Sequence, residues 1–154
     1  MTAAIRCNVK GRPLFILSTI ESDSHTWNLV YLQSVLEEHG IMVLNMGPCV
    51  PAEVTVSAML MHRPDAVIVS SVNGHGYVQG RTLLHLAGQR FGKTFPPMVI
   101  GGKLSTCEAQ NASIRRHLLQ LGFGAVFVGA HAIPEFQRWL IHFYERRHEM
   151  AVPA

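Results

Sequence analysis

The chain has 154 residues, 48% of them hydrophobic and only 15% charged, with a net charge of +3. Globular domains average about 25% charged residues, and this apolar balance excludes intrinsic disorder. Apolar runs that stop near four residues, against the roughly 18 a span needs, exclude a membrane helix.

Three cysteines, Cys7, Cys49 and Cys107, are odd in number and widely spaced, which argues against a disulfide framework and a thiolate zinc site. The basic residues do not cluster, so no nucleic-acid partner is expected. Arg12 and Pro13 precede an apolar run of only four residues. No secretory pattern is present there, and a cytoplasmic location is expected. One domain over residues 13–147, with short tails at 1–12 and 148–154, suits this length.

The first apolar run is 14–17. Leu29, Leu32, Val35 and Leu36 then recur at helical spacing, and Gly40 ends that helix. The second run, 41–44, leads to Gly47-Pro48, which reads as a plain turn. A helix follows from about Pro51, with Glu53 near its positive end and Val54, Ala58 and Met61 as its inner face. Pro64 breaks it. The third run, 66–69, runs into Ser70, Ser71 and a glycine-rich loop at 73–76. Leu83, Leu84, Ala87 and Phe91 mark the next helix. Run four, 98–100, is closed by Gly101 and Gly102. Ile114, Leu118 and Leu121 mark a helix stopped by Gly122. The fifth run is 125–128. Pro134 opens a last helix with Phe136, Trp139, Leu140 and Phe143 on one stripe.

Continuous apolar strands alternating with helices predict an α/β fold, a parallel sheet covered on both faces. Five units suit a doubly wound, flavodoxin-like sheet of order 2-1-3-4-5. Its ligand site lies beyond the carboxyl ends of the strands, at the switch between strands 1 and 3.

The polar and glycine-rich segments gather at those strand ends. Asp23 and His25 follow strand 1. The carboxylate can fix the imidazole tautomer and leave the other nitrogen as a base or metal ligand; alternatively, Asp23 or Ser24 caps the next helix. Ser70 and Ser71 end strand 3, and Gly129-Ala130-His131 follows strand 5. A phosphoacceptor receiver needs an aspartate where Ser70 stands and a lysine after strand 5, so that reading fails. A flavodoxin phosphate loop also fails. The segment has hydroxyls at Ser18, Thr19, Ser22, Ser24 and Thr26, but two acids and no glycine. A zinc hydrolase built on Asp23, His25, His75 and His131 is conceivable by ligand type, yet the spacing matches no local zinc motif.

Ser22-Asp23-Ser24-His25, then Ser70-Ser71-Val72, then Gly101-Gly102, resembles the Asp-x-His…Ser-x-Leu…Gly-Gly signature of cobalamin-binding domains. These take the cofactor base-off with a histidine on cobalt. The resemblance is strongest to the small, free-standing cobalamin-binding subunit of glutamate mutase (methylaspartate mutase), and runs over residues 13–143. It implies His25 as the cobalt ligand, with Asp23 on its other nitrogen. It implies Ser70 bonded to a nucleotide tail that runs between strands 1 and 3. Gly101 and Gly102 would let the tail pass, with Phe127 and Gly129 on the far side. Ser22, Ser24, Thr26, Trp27, Asn28, Val72, Asn73 and Gly74 complete the implied cofactor-binding set. The implied cofactor is adenosylcobalamin, and the implied partner a larger barrel-type catalytic subunit in a heterotetrameric isomerase. A stand-alone corrinoid carrier or sensor is the alternative. Two positions depart from the family pattern: Asn28 stands where it has glycine, and Val72 where it has leucine.

Overall fold

The structure, a computed structural model, describes residues 11–151. Cys7 and the outer parts of both expected tails lie outside the described residues. In chain order the elements are β1 (Leu14–Ser18), α1 (Trp27–Glu38), β2 (Met42–Asn45), α2 (Ala52–His62) and β3 (Ala66–Ser71). There follow α3 (Gly76–Phe91), β4 (Met98–Gly102), a 3-10 turn (Glu108–Gln110), α4 (Asn111–Leu121), β5 (Ala125–Phe127) and α5 (Ala132–Ala151). The strands pair in parallel in the order β2-β1-β3-β4-β5. This is the expected doubly wound, flavodoxin-like α/β architecture. No described helix is long and apolar enough to cross a membrane.

Beneath the continuous apolar runs lies a period of two, because successive strand side chains point to opposite faces. Ile16, Val67, Val69 and Ile100 pack with Val56, Met59, Leu83 and Leu118 from α2, α3 and α4. Phe15, Leu17, Ile68 and Val99 pack with Leu29, Leu36, Phe136 and Leu140 from α1 and α5. β3 is buried at every position, whereas β2, on the edge, is only partly buried. Each fully buried side chain of this size contributes about 1.5–3 kcal/mol.

Helix α2 departs from the expected inner face. Val54 and Met61 are 46% and 63% exposed, and the buried residues are Thr55, Val56, Ala58 and Met59. The helix is apolar on nearly every side, so periodicity alone cannot choose its phase. A hydrogen bond of 2.8 Å between the Ser18 and Thr55 hydroxyls, both buried, holds it. Leu121, in the last turn of α4, is likewise exposed while Ile114 and Leu118 are buried. Helix α5 starts two residues before Pro134, which sits in the first turn where its missing N–H costs nothing. It continues through residues 148–151, beyond the expected end of the domain.

The far end of α5 is tied to the amino edge of the sheet. Asp65 Oδ1 accepts from Arg147 Nη1 at 2.7 Å, and Oδ2 accepts from the Leu14 backbone N–H at 2.8 Å. Both side chains of this ion pair are partly exposed, so it is worth up to about 1 kcal/mol. Replacing Arg147 with methionine is expected to lower Tm by about 1–4 °C, readable by thermal denaturation.

Candidate functional site

Segment 19–26 crosses the carboxyl ends of the strands between β1 and α1. Asp23 is its centre. The side chain is fully buried, and both oxygens are engaged. Oδ2 accepts from the Val72 backbone N–H at 2.7 Å, across from the loop after β3. Oδ1 accepts from the His25 backbone N–H at 3.1 Å and from His25 Nδ1 at 2.7 Å. The Asp23 carbonyl accepts from the Cys49 N–H at 2.8 Å. The segment after β2 is therefore more than a plain turn, since it docks on Asp23. Burial alone would raise the Asp23 pKa. The hydrogen bonds from Val72 and His25 outweigh that and hold the carboxyl below its ordinary 3.8.

Asp23 does not cap α1. The N-cap is Thr26, three residues on, with no side-chain cap bond. A carboxylate only accepts, so the Nδ1 of His25 must carry the proton. Nε2 is then the nitrogen with a lone pair, on a side chain 59% exposed. An exposed ring on a buried anchor is what a metal-ligating or proton-accepting imidazole needs.

Around this pair the two loops are stitched together. Ser22 Oγ accepts from Asn73 Nδ2 and from Gln79 Nε2, each at 2.9 Å. The Ser22 N–H donates back to Gln79 Oε1 at 3.1 Å. Gln79 lies on α3 and carries no local motif, so the sequence reading missed it. The loop's Gly74 has no room for a side chain, because a Cβ there would lie 2.8 Å from the Thr106 methyl. Ser24, Thr26 and Trp27 stand exposed beside His25, with Trp27 84% exposed.

Next to this rim a cavity of about 140 Å³ opens between α1 and α5. Asn28, Ser70, Val72, Gly101, Gly102 and Phe127 line it, as sequence reading grouped them. Tyr31 and Leu32 of α1 and Ile133 and Phe136 of α5 also line it; in the sequence Leu32 and Phe136 stand only as helix core positions, and the other two are not singled out. No β1 residue lines it, so the cavity lies over β3, β4 and β5 rather than between strands 1 and 3. The helix α1 core residues Leu29 and Leu36 already cover the β1 surface. Asn28 Nδ2 donates to Ser70 Oγ at 2.7 Å, while Asn28 Oδ1 is buried with no hydrogen-bond partner among the described residues.

Glycine at 102 is required by the sheet itself. Its φ is +112°, and a Cβ would lie 2.1 Å from the Ser71 carbonyl oxygen. At Gly101 a Cβ would lie 2.9 Å from the Phe127 carbonyl oxygen. Gly129 lies exposed in the loop before α5 and does not line the cavity. His75 and His131 are exposed on separate loops. Among the described residues no three His, Cys, Asp or Glu side chains group as a metal site, and the zinc arrangement finds no support.

Three comparisons bear on this site. The glutamate mutase sigma subunit of Escherichia coli O157:H7 is 24% identical over 135 residues, covering 88% of this chain and 90% of that protein. The sigma subunit of Halobacterium salinarum is 32% identical over 117 residues, covering 75% and 76% of the two chains. Among solved structures, a novel cobalamin-binding protein from Desulfitobacterium hafniense DCB-2 superposes with a TM-score of 0.66 at 21% identity. That likeness covers 84% of this chain but only 60% of the other, and shows the fold. The B12 binding domain family matches residues 13–136, a span that takes in all five strands, the Asp23–His25 pair and the cavity. On that match the chain belongs to the B12-binding domain family.

Proposed function

We propose that this chain is the cobalamin-binding subunit of an adenosylcobalamin-dependent carbon-skeleton mutase of the glutamate mutase type. The observation that carries the reading is the His25 ring, 59% exposed and anchored at Nδ1 on buried Asp23, beside a cavity with apolar walls. Relatives over most of their length that are named glutamate mutase sigma subunit support the same reading.

The residues present fit a corrinoid held base-off. His25 would hold the cobalt through Nε2. Asp23 accepts the Nδ1 proton, fixes the tautomer and makes the imidazole a stronger donor. In the cavity between α1 and α5, Ser70 and Asn28 would give polar contacts to a nucleotide tail, and Val72, Gly101, Gly102 and Phe127 would give the walls. Ser22, Ser24, Thr26, Trp27, Asn73, Gly74 and Gly129 form the rim facing the corrin. When bound, the cofactor supplies Co–C homolysis and hence the adenosyl radical. The chain's part would be to anchor the cofactor through His25 and to shield its tail from water. A larger barrel-type subunit would hold the substrate, in a heterotetramer, and the reaction would be the isomerisation of glutamate to 3-methylaspartate. The complex works in the cytoplasm.

Gel filtration of the purified chain with adenosylcobalamin tests this. The corrinoid is expected to elute with the protein, with a visible spectrum of histidine rather than benzimidazole ligation. Isomerisation is expected only after a mutase catalytic subunit is added. A chain that retains no corrinoid at high micromolar concentration would sink the reading.

A further inference from the structure

Among the described residues, Asn28 is the one residue lining the cavity that has a buried side-chain polar atom without a hydrogen-bond partner. Its Nδ2 is committed to Ser70 Oγ at 2.7 Å, which fixes the plane of the carboxamide. Its Oδ1 is buried and unpartnered. The remaining wall is mostly aliphatic and aromatic, from Leu32, Ile68, Val99, Phe127 and Phe136. A buried acceptor without a partner costs about 1–3 kcal/mol, which a ligand that brings a donor recovers. An apolar cavity of this order holds a flat aromatic group, and the orphaned acceptor calls for one that carries a donor. Asparagine carboxamides pair with the edge of a base that carries an exocyclic amino group beside a ring nitrogen, as adenine does. A dimethylated benzimidazole brings only methyl groups and a ring nitrogen, which is an acceptor, and leaves Oδ1 unpaired.

We propose that Asn28, held by Ser70, is a specificity-determining residue that selects corrinoids whose nucleotide tail ends in an amino-bearing base of the adenine class. This rests on the cobalamin-binding reading above and sharpens it from cofactor to cofactor variant. The amino N–H donates to Asn28 Oδ1, the Ser70 contact stays in place, and the apolar walls hold the ring faces.

Equilibrium titration of the whole chain with adenine-tailed and with dimethylbenzimidazole-tailed corrinoids, read by absorbance, tests the selection. The native chain is expected to bind the adenine-tailed form about ten-fold more tightly, the lower part of the range for one well-placed base contact. Asn28→Gly and Asn28→Ala are expected to bring the ratio close to one while both corrinoids still bind. Circular dichroism melts of both variants report their folding. Equal affinity in the native chain, a preference for the dimethylated tail, or a ratio unchanged in both variants would overturn the selection and leave cobalamin binding standing. Failure of the native chain and the variants to bind either corrinoid would overturn the cobalamin reading itself, and the selection with it.

Discussion

His25→Ala is expected to keep the fold and lose the ligand. The His25 side chain is 59% exposed and donates one hydrogen bond, to Asp23 Oδ1. Alanine retains the backbone N–H that bonds the same oxygen. A surface truncation of this kind changes stability by about 0.5–1 kcal/mol at most, so Tm should move by no more than about 4 °C. The effect on cofactor should be far larger. Loss of a residue that only orients a metal ligand typically costs 10–100-fold in affinity, and loss of the ligand itself should cost at least about 100-fold. Electron paramagnetic resonance of the bound cobalt(II) corrinoid gives the decisive readout. With 15N-labelled histidine in the protein, the native chain should show coupling to a 15N nucleus, and His25→Ala should show none until 15N-labelled free imidazole is added. Coupling that survives the substitution would rule out His25 as the ligand.

Asp23→Asn should act on stability and cofactor together. The amide keeps one acceptor oxygen, so either the Val72 N–H or the His25 N–H is left facing a donor. Loss of a buried hydrogen bond to a charged acceptor costs about 1.5–3 kcal/mol, or roughly 3–12 °C in Tm for a chain of this length. The His25 ring also loses its anionic acceptor, so corrinoid affinity should fall about 10–100-fold. The pH dependence has a definite sign. Asp23 has a folded pKa below its ordinary 3.8, so it binds its proton less readily folded than unfolded. Its contribution to stability is complete above the unfolded value and is lost as pH falls through the folded one. The Tm gap between native and Asp23→Asn should therefore be constant near neutrality and shrink below about pH 4. A gap that stays constant down to pH 2 would show that the ionised carboxylate is not what holds the loop.

Most of the fold is legible in the sequence because four strands lie in the sheet interior or against its helices on both faces. Their apolar runs at 14–17, 66–69, 98–100 and 125–128 stand out from the amphipathic stretches between them. The phase of α2 is not legible, since its apolar residues surround the axis and a buried hydroxyl pair decides the face. At the site, the Asp23–His25 spacing is visible, but capping and ligand-orienting roles use the same two residue types. Only the Val72 N–H, 49 residues away, separates them. Gly101 and Gly102 look unusual in the sequence, as the resemblance to the family implies; the geometry adds a crowding of the adjoining strands as a reason for both. The cavity is the least legible feature. Leu32 and Phe136 read as ordinary core positions, and the gap between them exists only once α1 and α5 are laid on the sheet. Gln79 is hidden for a similar reason, since its partner Ser22 is 57 residues distant.

The grip on Asp23 from two directions has a mechanical consequence. Its carboxylate is held by the loop after β3 and its carbonyl by the loop after β2, and these strands lie on opposite sides of β1 in the sheet. Segment 19–26 is thus suspended like a bridge between two abutments, with the imidazole at mid-span. A pull along the ring axis is shared by three strands rather than absorbed by one loop. The ring can stand in solvent and still be stiff, so force applied to it at the rim is carried down into the sheet.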